Sequence, residues 1–101
     1  MRVFEHPDLA DVPLAGILSA LGDPVRLKIL RVLLDGQEHL GPDFAVGIGQ
    51  STLSHHMRIL RQAGIAQSVP RGTRCFVSLR REEVDAQFPG LLNAVARASV
   101  A

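Results

Sequence analysis

Apolar residues recur at helical spacing in the first third of the chain. A first amphipathic helix is predicted by four residues in an i, i+3, i+4, i+7 pattern: Leu14, Ile17, Leu18 and Leu21. Gly22 ends this pattern, and Asp23 and Pro24 suit the N-cap and the first position of a second helix. That second helix, VRLKILRVLLD, is apolar around most of its circumference, which predicts burial on two sides.

A second amphipathic pattern lies in QSTLSHHMRILRQAGI, residues 50–65. Ser51 suits an N-cap, so a helix is predicted from Thr52 to Ala63, with Gly64 as its C-terminal stop. Its apolar side comprises Leu53, Met57 and Leu60, flanked by His56. Its polar side comprises Thr52, Ser54, His55, Arg58, Arg61 and Gln62. The preceding residues, 37–49, contain three glycines and a proline and leave room for only a short helix, over Asp43 to Val46.

The spacing then changes to the alternation of β-strands. IAQSV and RCFVSL predict a hairpin around the turn PRGT, residues 70–73. FPGLLNAVARASV predicts a last helix, with Pro89 at its start. The predicted fold class is therefore mainly α with a small β hairpin, in the order α-α-α-α-β-β-α. This is a winged helix-turn-helix, formed by a single domain over residues 1–101 with a loosely ordered N-terminal arm over residues 1–12.

Composition restricts the class of protein further. The chain has 101 residues, of which 47% are apolar, and it lacks Trp and Tyr, so its core must come from aliphatic side chains. The single cysteine, Cys75, excludes an internal disulfide and a cysteine-based zinc finger. The N-terminus carries acids where a signal peptide needs apolar residues, and no apolar stretch approaches the ~20 residues of a membrane span. We expect a cytoplasmic protein without membrane contact.

Charge is distributed unevenly, although the net charge is only +1. No Asp or Glu occurs from Ser51 to Arg81, and this window contains six of the 11 basic residues. They are Arg58, Arg61, Arg71, Arg74, Arg80 and Arg81. Such a localised positive field favours a polyanionic partner, whereas the alternative is an ordinary solvated basic surface.

In a winged helix, the helix before the hairpin enters the major groove of DNA. Short hydroxyl side chains near its N-terminus suit base edges or phosphates, and Arg58 and His55 can reach further. Arg61 is assigned to a phosphate, and Arg71 and Arg74 to the minor groove or backbone beside the wing. For His56, helix packing and a phosphate contact remain open. The predicted DNA-binding residues are Gln50, Ser51, Thr52, Ser54, His55, His56, Arg58, Arg61, Arg71 and Arg74.

Two motifs also resemble those of the ArsR/SmtB family of bacterial winged-helix regulators. They are L-x-D-P-x-R-x-x-I-L, within LGDPVRLKILRVLLDG, and S-T-x-S-H-H-x-x-x-L-x-x-A-G, within QSTLSHHMRILRQAGI. With RGTRCFVSLRREEVD, the resemblance extends from Leu14 to Val95. It implies a homodimeric repressor on an inverted-repeat operator of double-stranded DNA, with recognition helices about 34–36 Å apart. The implied dimer interface comprises Leu14, Ile17, Leu18, Leu21, Leu91, Leu92 and Val95.

The sequence departs from this family in its metal-binding residues. Residues 37–49 contain no cysteine, and the last helix contains no His, Asp, Glu or Cys, so both usual metal sites of the family are missing. Two weaker candidates for nickel or zinc are His6, with Glu5 or Asp8, and His39, with Glu38 or Asp43. The alternative is that both histidines are solvated loop residues, so no metal or other cofactor is assigned.

Other functional classes have less support. Ser54 and His55 have no orienting carboxylate nearby in sequence, and no nucleophile or nucleotide-binding motif occurs, so we expect no enzymatic activity. Two alternatives remain to a self-sufficient regulator. One is a winged-helix module for protein contacts, and the other is a DNA-binding subunit that needs a separate sensor protein.

Overall fold

The computed structural model describes residues 4–44 and 47–98. Its five helices are α1 (Leu14–Leu21), α2 (Pro24–Leu33), α3 (Gln50–Gln62), α4 (Arg81–Gln87) and α5 (Leu91–Arg97). Two strands, β1 (Ala66–Arg71) and β2 (Arg74–Leu79), form an antiparallel hairpin between α3 and α4. Single 3₁₀ turns cover Leu9–Asp11 and Gly41–Phe44. The predicted class, mainly α with one small hairpin, is confirmed.

The junction of α1 and α2 forms as the sequence predicts. The Asp23 carboxylate accepts hydrogen bonds from the backbone N–H groups of Val25 and Arg26, at 2.9 and 3.0 Å. Pro24 takes the first helical position, where its missing N–H is not needed. These bonds lower the pKa of Asp23, with the bond from Arg26 as the largest cause.

The start of α3 differs from the prediction. Gly49 is the N-cap, and its carbonyl accepts the N–H of Leu53 at 3.0 Å. Ser51 therefore lies in the first turn of the helix rather than before it. The expected short helix over Asp43 to Val46 is a 3₁₀ turn that ends at Phe44, and residues 45–46 lie outside the described residues.

The end of α3 is fixed by a C-terminal glycine motif. The N–H of Ile65 bonds to the carbonyl of Leu60, and the N–H of Gly64 bonds to that of Arg61, both at 3.0 Å. Gly64 has φ +79°, and a Cβ at this position would lie 2.9 Å from both Cδ atoms of Leu9. Gly64 is therefore required both by its backbone conformation and by the packing of the N-terminal segment.

We expect Gly64→Ala to destabilise the fold more than Gly36→Ala. Both glycines have positive φ, 79° and 78°, but nothing lies within 4 Å of a Cβ at Gly36. Strain in the left-handed region costs roughly 1–2 kcal/mol in each variant. Overpacking against Leu9 adds roughly 1–3 kcal/mol at Gly64 alone. Urea unfolding measures both losses, and equal losses would contradict the role assigned to Leu9.

The hairpin is joined by a two-residue turn, Gly72-Thr73, which is tighter than the predicted four-residue turn. Arg71 and Arg74 are the last paired residues. The backbone of His39 forms an additional bridge to Val77 through two hydrogen bonds of 2.8 Å. This bridge attaches the hairpin to the segment that follows α2.

Helix α4 is an addition to the predicted elements, because no helix was predicted over RREEVDAQ. Its apolar signal is a single residue, Val84, which is fully buried. Two ion pairs support it, Arg80 with Glu83 at 2.8 Å and Arg81 with Asp85 at 3.3 Å. Pro89 lies before α5, whose N-cap is Gly90.

The N-terminal arm, expected to be loose over residues 1–12, is packed in the part that the structure describes. Leu9 and Val12 are buried in the core. The carbonyl of Pro7 accepts a hydrogen bond of 2.7 Å from Arg80. The core that these residues join contains Ile17, Ile29, Leu30, Leu33, Leu60, Ile65, Val84 and Leu92 as its fully buried large side chains. Across the described residues, no helix has the length and apolar character needed to cross a membrane.

Candidate DNA-binding surface

The exposed side of α3 is polar along its length. It comprises Gln50, Ser51, Thr52, Ser54, His55, Arg58 and Gln62. On the other side, Met57 and Leu60 are buried in the core, as predicted. This orientation presents hydroxyl groups at the N-terminal end of α3 and Arg58 two turns further along.

The first turn of α3 also presents backbone N–H groups. Its N-cap, Gly49, has no side chain that could accept hydrogen bonds from them. Uncapped N–H groups and the positive end of the helix dipole together suit an anion such as a phosphate. This arrangement complements the hydroxyl side chains of Ser51 and Thr52.

Two exposed arginines, one on α3 and one on the hairpin, carry uncompensated charge. Arg58 on α3 and Arg74 at the start of β2 are both exposed. Within residues 4–44 and 47–98, neither takes part in an ion pair or a side-chain hydrogen bond. Both guanidinium groups are therefore available to an external anion.

Three of the other arginines of the acid-free window pair with acids that folding brings close to them. Nη1 of Arg71 donates a hydrogen bond of 2.8 Å to Glu38, and its Nη2 lies 2.8 Å from the other oxygen of that carboxylate. This pairing lowers the pKa of Glu38. The Arg71 guanidinium also lies 4.9 Å from the centre of the Phe76 ring. Arg80 and Arg81 pair with acids of α4. The positive surface is therefore smaller than the sequence window suggested, because folding brings three acids back to it.

Arg61 and His56 have partners within the domain. The Arg61 guanidinium lies 4.5 Å from the centre of the Phe4 ring, so it contacts the N-terminal arm near the end of α3. The His56 side chain is only 12% exposed and lies 3.0 Å from Arg26. The structure thus favours helix packing over a phosphate contact for His56.

His39 makes contacts that differ in part from the proposed metal site. Its Nε2 lies 2.9 Å from a carboxylate oxygen of Asp35, and its Nδ1 lies 3.5 Å from one of Asp43. Glu38, the other suggested ligand, binds Arg71 instead. In the part of the chain that the structure describes, no three His, Cys, Asp or Glu residues are grouped so as to hold a metal ion.

His6 serves the packing of the N-terminal arm. Its Nε2 accepts a hydrogen bond of 3.0 Å from the backbone N–H of Ser68 on β1. The suggested co-ligand Asp8 caps the 3₁₀ turn by accepting the N–H of Ala10 at 3.0 Å. Burial lowers the pKa of His6, and the positive charges of Arg80 and Arg61 lower it further.

We expect His6 to make stability depend on pH. Because its folded pKa lies below the ordinary value of 6.5, the unfolded chain binds the proton more readily. The contribution of His6 is therefore complete above about pH 6.5 and is lost as pH falls from there through the folded pKa. The free energy of unfolding, measured with urea, should fall between pH 7.5 and pH 5. The fall should be smaller for His6→Gln than for the unaltered protein, because glutamine keeps a hydrogen-bond acceptor but does not titrate. Equal decreases in the two proteins would contradict this role.

The residues predicted for a dimer interface separate into two groups. Ile17, Leu21 and Leu92 are buried in the core of one chain, so their assignment to the interface is corrected. Leu14 and Leu18 are 52% and 48% exposed on α1, although both are large and apolar. Leu91 and Val95 on α5 are half-buried.

Comparison with known proteins identifies the family. The model of the bacterial regulatory protein, arsR family, matches residues 44–68, which include all of α3. The biofilm growth-associated repressor of Xylella fastidiosa is 33% identical over 82 residues, which cover 80% of this chain and 68% of that protein. The transcriptional repressor SdpR of Bacillus subtilis is 31% identical over 81 residues, which cover 78% of this chain and 89% of that protein. The chain belongs to the ArsR family.

Solved ArsR-type structures agree with this assignment. The transcriptional repressor BigR from Xylella fastidiosa superposes with a TM-score of 0.64 at 30% identity and covers 81% of each chain. NolR from Sinorhizobium fredii has a TM-score of 0.64 at 27% identity and covers 97% of this chain and 100% of that one. The winged helix-turn-helix prediction is therefore confirmed. As an ArsR-family member the chain is a DNA-binding transcriptional regulator and not an enzyme.

One residue of the ArsR motifs has contacts that the sequence alone did not predict. Arg26, the arginine of D-P-x-R, was assigned no contact from the sequence, yet it contacts both α1 and α3. Its signal was a basic residue in a helix that is otherwise apolar around most of its circumference. A partly buried guanidinium needs hydrogen-bond partners, so this position indicated contacts with neighbouring helices.

Proposed function

We propose that this ArsR-family protein represses transcription as a homodimer bound to an inverted repeat in double-stranded DNA. One observation carries the proposal: the exposed side of α3 is polar and free of acids, and its central cation, Arg58, is unpaired among the described residues. Arg58 binds a base edge, and Ser51 and Thr52 contact phosphate near the first turn of α3. Arg74 contacts the DNA backbone from the hairpin.

The exposed leucines of α1 support the dimer. A single chain would leave Leu14 and Leu18 in water, whereas a twofold contact would cover them. Two copies of α3 could then reach successive major grooves about one helical turn apart. The names of the related repressors support repression as the outcome.

No resident metal is part of the proposal, because His6 and His39 both have partners inside the domain. Nickel, zinc or a separate sensor protein as the source of the signal remain alternatives for experiment. A chelator in the binding assay separates the metal alternative from the others.

Fluorescence anisotropy tests the function directly. We would titrate the protein against the duplex upstream of its own gene and against a scrambled duplex, across a salt series and with or without chelator. We expect tighter binding to the first duplex and a steep decrease with salt, since phosphate contacts release counterions. Absence of binding to either duplex at low salt would contradict the proposal and favour a module for protein contacts.

A further inference from the structure

The guanidinium group of Arg26 lies between two helices. Its Nε donates a hydrogen bond of 2.6 Å to the carbonyl of Ala20, in the last turn of α1. Its Nη1 lies 3.0 Å from Nδ1 of His56 on α3, and its Nη2 is 3.5 Å from the carbonyl of Ser19. One side chain thus connects the end of α1 with the middle of α3.

The backbone of Arg26 is also held in place. Its backbone N–H is bonded to the Asp23 carboxylate that caps α2. The same carboxylate lies 3.8 Å from Nδ1 of His56. The two family motifs, D-P-x-R and S-H-H, therefore meet at this point, thirty positions apart in the sequence.

The contact also determines the orientation of His56. Arginine has only donors, so in a hydrogen bond between the two side chains Nδ1 of His56 is the acceptor. His56 directly follows His55 and lies two positions from Ser54 and Arg58. Because residues on a helix turn together, a fixed His56 fixes the rotation of α3 that presents these neighbours to DNA.

We propose that Arg26 is a positioning residue, which acts through His56 to set the rotation of α3 relative to α1. This inference rests on the proposed function, because it assumes that α3 reads DNA. Arg26 connects α1, which carries the exposed Leu14 and Leu18, to α3, which selects the operator. A second copy seated on α1 would thereby influence how both recognition helices enter the grooves.

The rotation of α3 affects the selection of a DNA sequence more than it affects the general attraction of the protein to DNA. Bidentate contacts to bases need defined geometry, whereas attraction to phosphates is tolerant of small rotations. Loss of the Arg26–His56 contact should therefore reduce the preference for operator over scrambled duplex. The salt dependence should stay the same, because the number of phosphate contacts does not change.

The experiment compares Arg26→Gln, His56→Leu and His56→Asn with the unaltered protein. Lys28→Gln is the matched control, since Lys28 is exposed on the same helix and has no ion-pair partner among the described residues. Anisotropy with both duplexes gives the preference and the salt slope. Sedimentation and urea unfolding confirm that each variant remains folded and of unchanged oligomeric state.

We expect Arg26→Gln and His56→Leu to lower the operator preference by about tenfold, with unchanged salt slopes. His56→Asn should restore most of the preference, since its side-chain oxygen can occupy the place of Nδ1. A double variant, Arg26→Gln with His56→Leu, should show an operator preference no lower than that of the poorer single variant. A parallel loss on both duplexes, or failure of asparagine to restore the preference where leucine lowers it, would overturn the proposal. Absence of operator binding by the unaltered protein would instead overturn the proposed function itself.

Discussion

Arg58→Ala is expected to reduce affinity for the operator duplex by about 30-fold or more. Arg58 is exposed on α3, two turns from its N-terminus, and has no ion-pair partner among the described residues. An arginine that reads guanine contributes roughly 1–3 kcal/mol of discrimination. A dimer loses two such contacts, and each ~1.4 kcal/mol corresponds to a tenfold change in affinity.

Two comparison variants make this prediction specific. Arg74→Ala should weaken binding to operator and scrambled duplexes alike, because its assigned partner is the backbone rather than a base. Lys28→Ala removes the same charge from an exposed position on α2 and should change affinity little. All three variants should keep their urea unfolding midpoints, since none of these side chains is buried. Operator binding by Arg58→Ala at the level of the unaltered protein would refute its role in reading bases.

The order of elements could be predicted because several local signals agree. Asp23 and Pro24 marked the start of α2, and Gly64 marked the end of α3, since few other residues meet those backbone requirements. The alternation in RCFVSL predicted β2, where Val77 and Leu79 are buried. Helix α4 was not predicted, because one large apolar residue, Val84, cannot display a helical period.

The site was predicted less completely, because side-chain partners come from distant parts of the sequence. Arg71 belonged to a window without acids, yet Glu38 reaches it from the segment after α2. His56 could not be assigned from α3 alone, since Arg26 lies thirty positions earlier. Arg58 was assigned correctly to an exposed surface, because helical spacing alone places it opposite Met57 and Leu60.

The same reasoning separates buried from exposed leucines on α1. A helical stripe shows that Leu14, Ile17, Leu18 and Leu21 share one side of the helix. It does not show where the core ends on that side. Ile17 and Leu21 contact the rest of the domain, whereas Leu14 and Leu18 extend beyond it. The apolar stripe of α1 can therefore pack against two partners. One is the core of the same chain, and the other lies outside that chain.

Leu18→Glu is expected to produce a folded monomer with operator affinity lower by about 10²–10⁴-fold. Leu18 is 48% exposed in a single chain, so glutamate at this position has access to water and the domain should remain folded. In a dimer the same carboxylate would be buried opposite its symmetry mate, which is strongly unfavourable. A monomer binds one half-site and loses the gain in effective concentration from a linked second site, which accounts for the expected decrease.

Sedimentation equilibrium and anisotropy on the same samples test this expectation. Gln87→Glu, which adds the same charge to an exposed position on α4, should remain dimeric and bind normally. Urea unfolding of Leu18→Glu should remain cooperative, although its midpoint will no longer depend on protein concentration, as it does for a dimer. A duplex with a single half-site is the decisive substrate, because monomer and dimer should bind it with similar affinity. If Leu18→Glu remains dimeric, the twofold contact lies elsewhere and the exposed leucines of α1 need another partner.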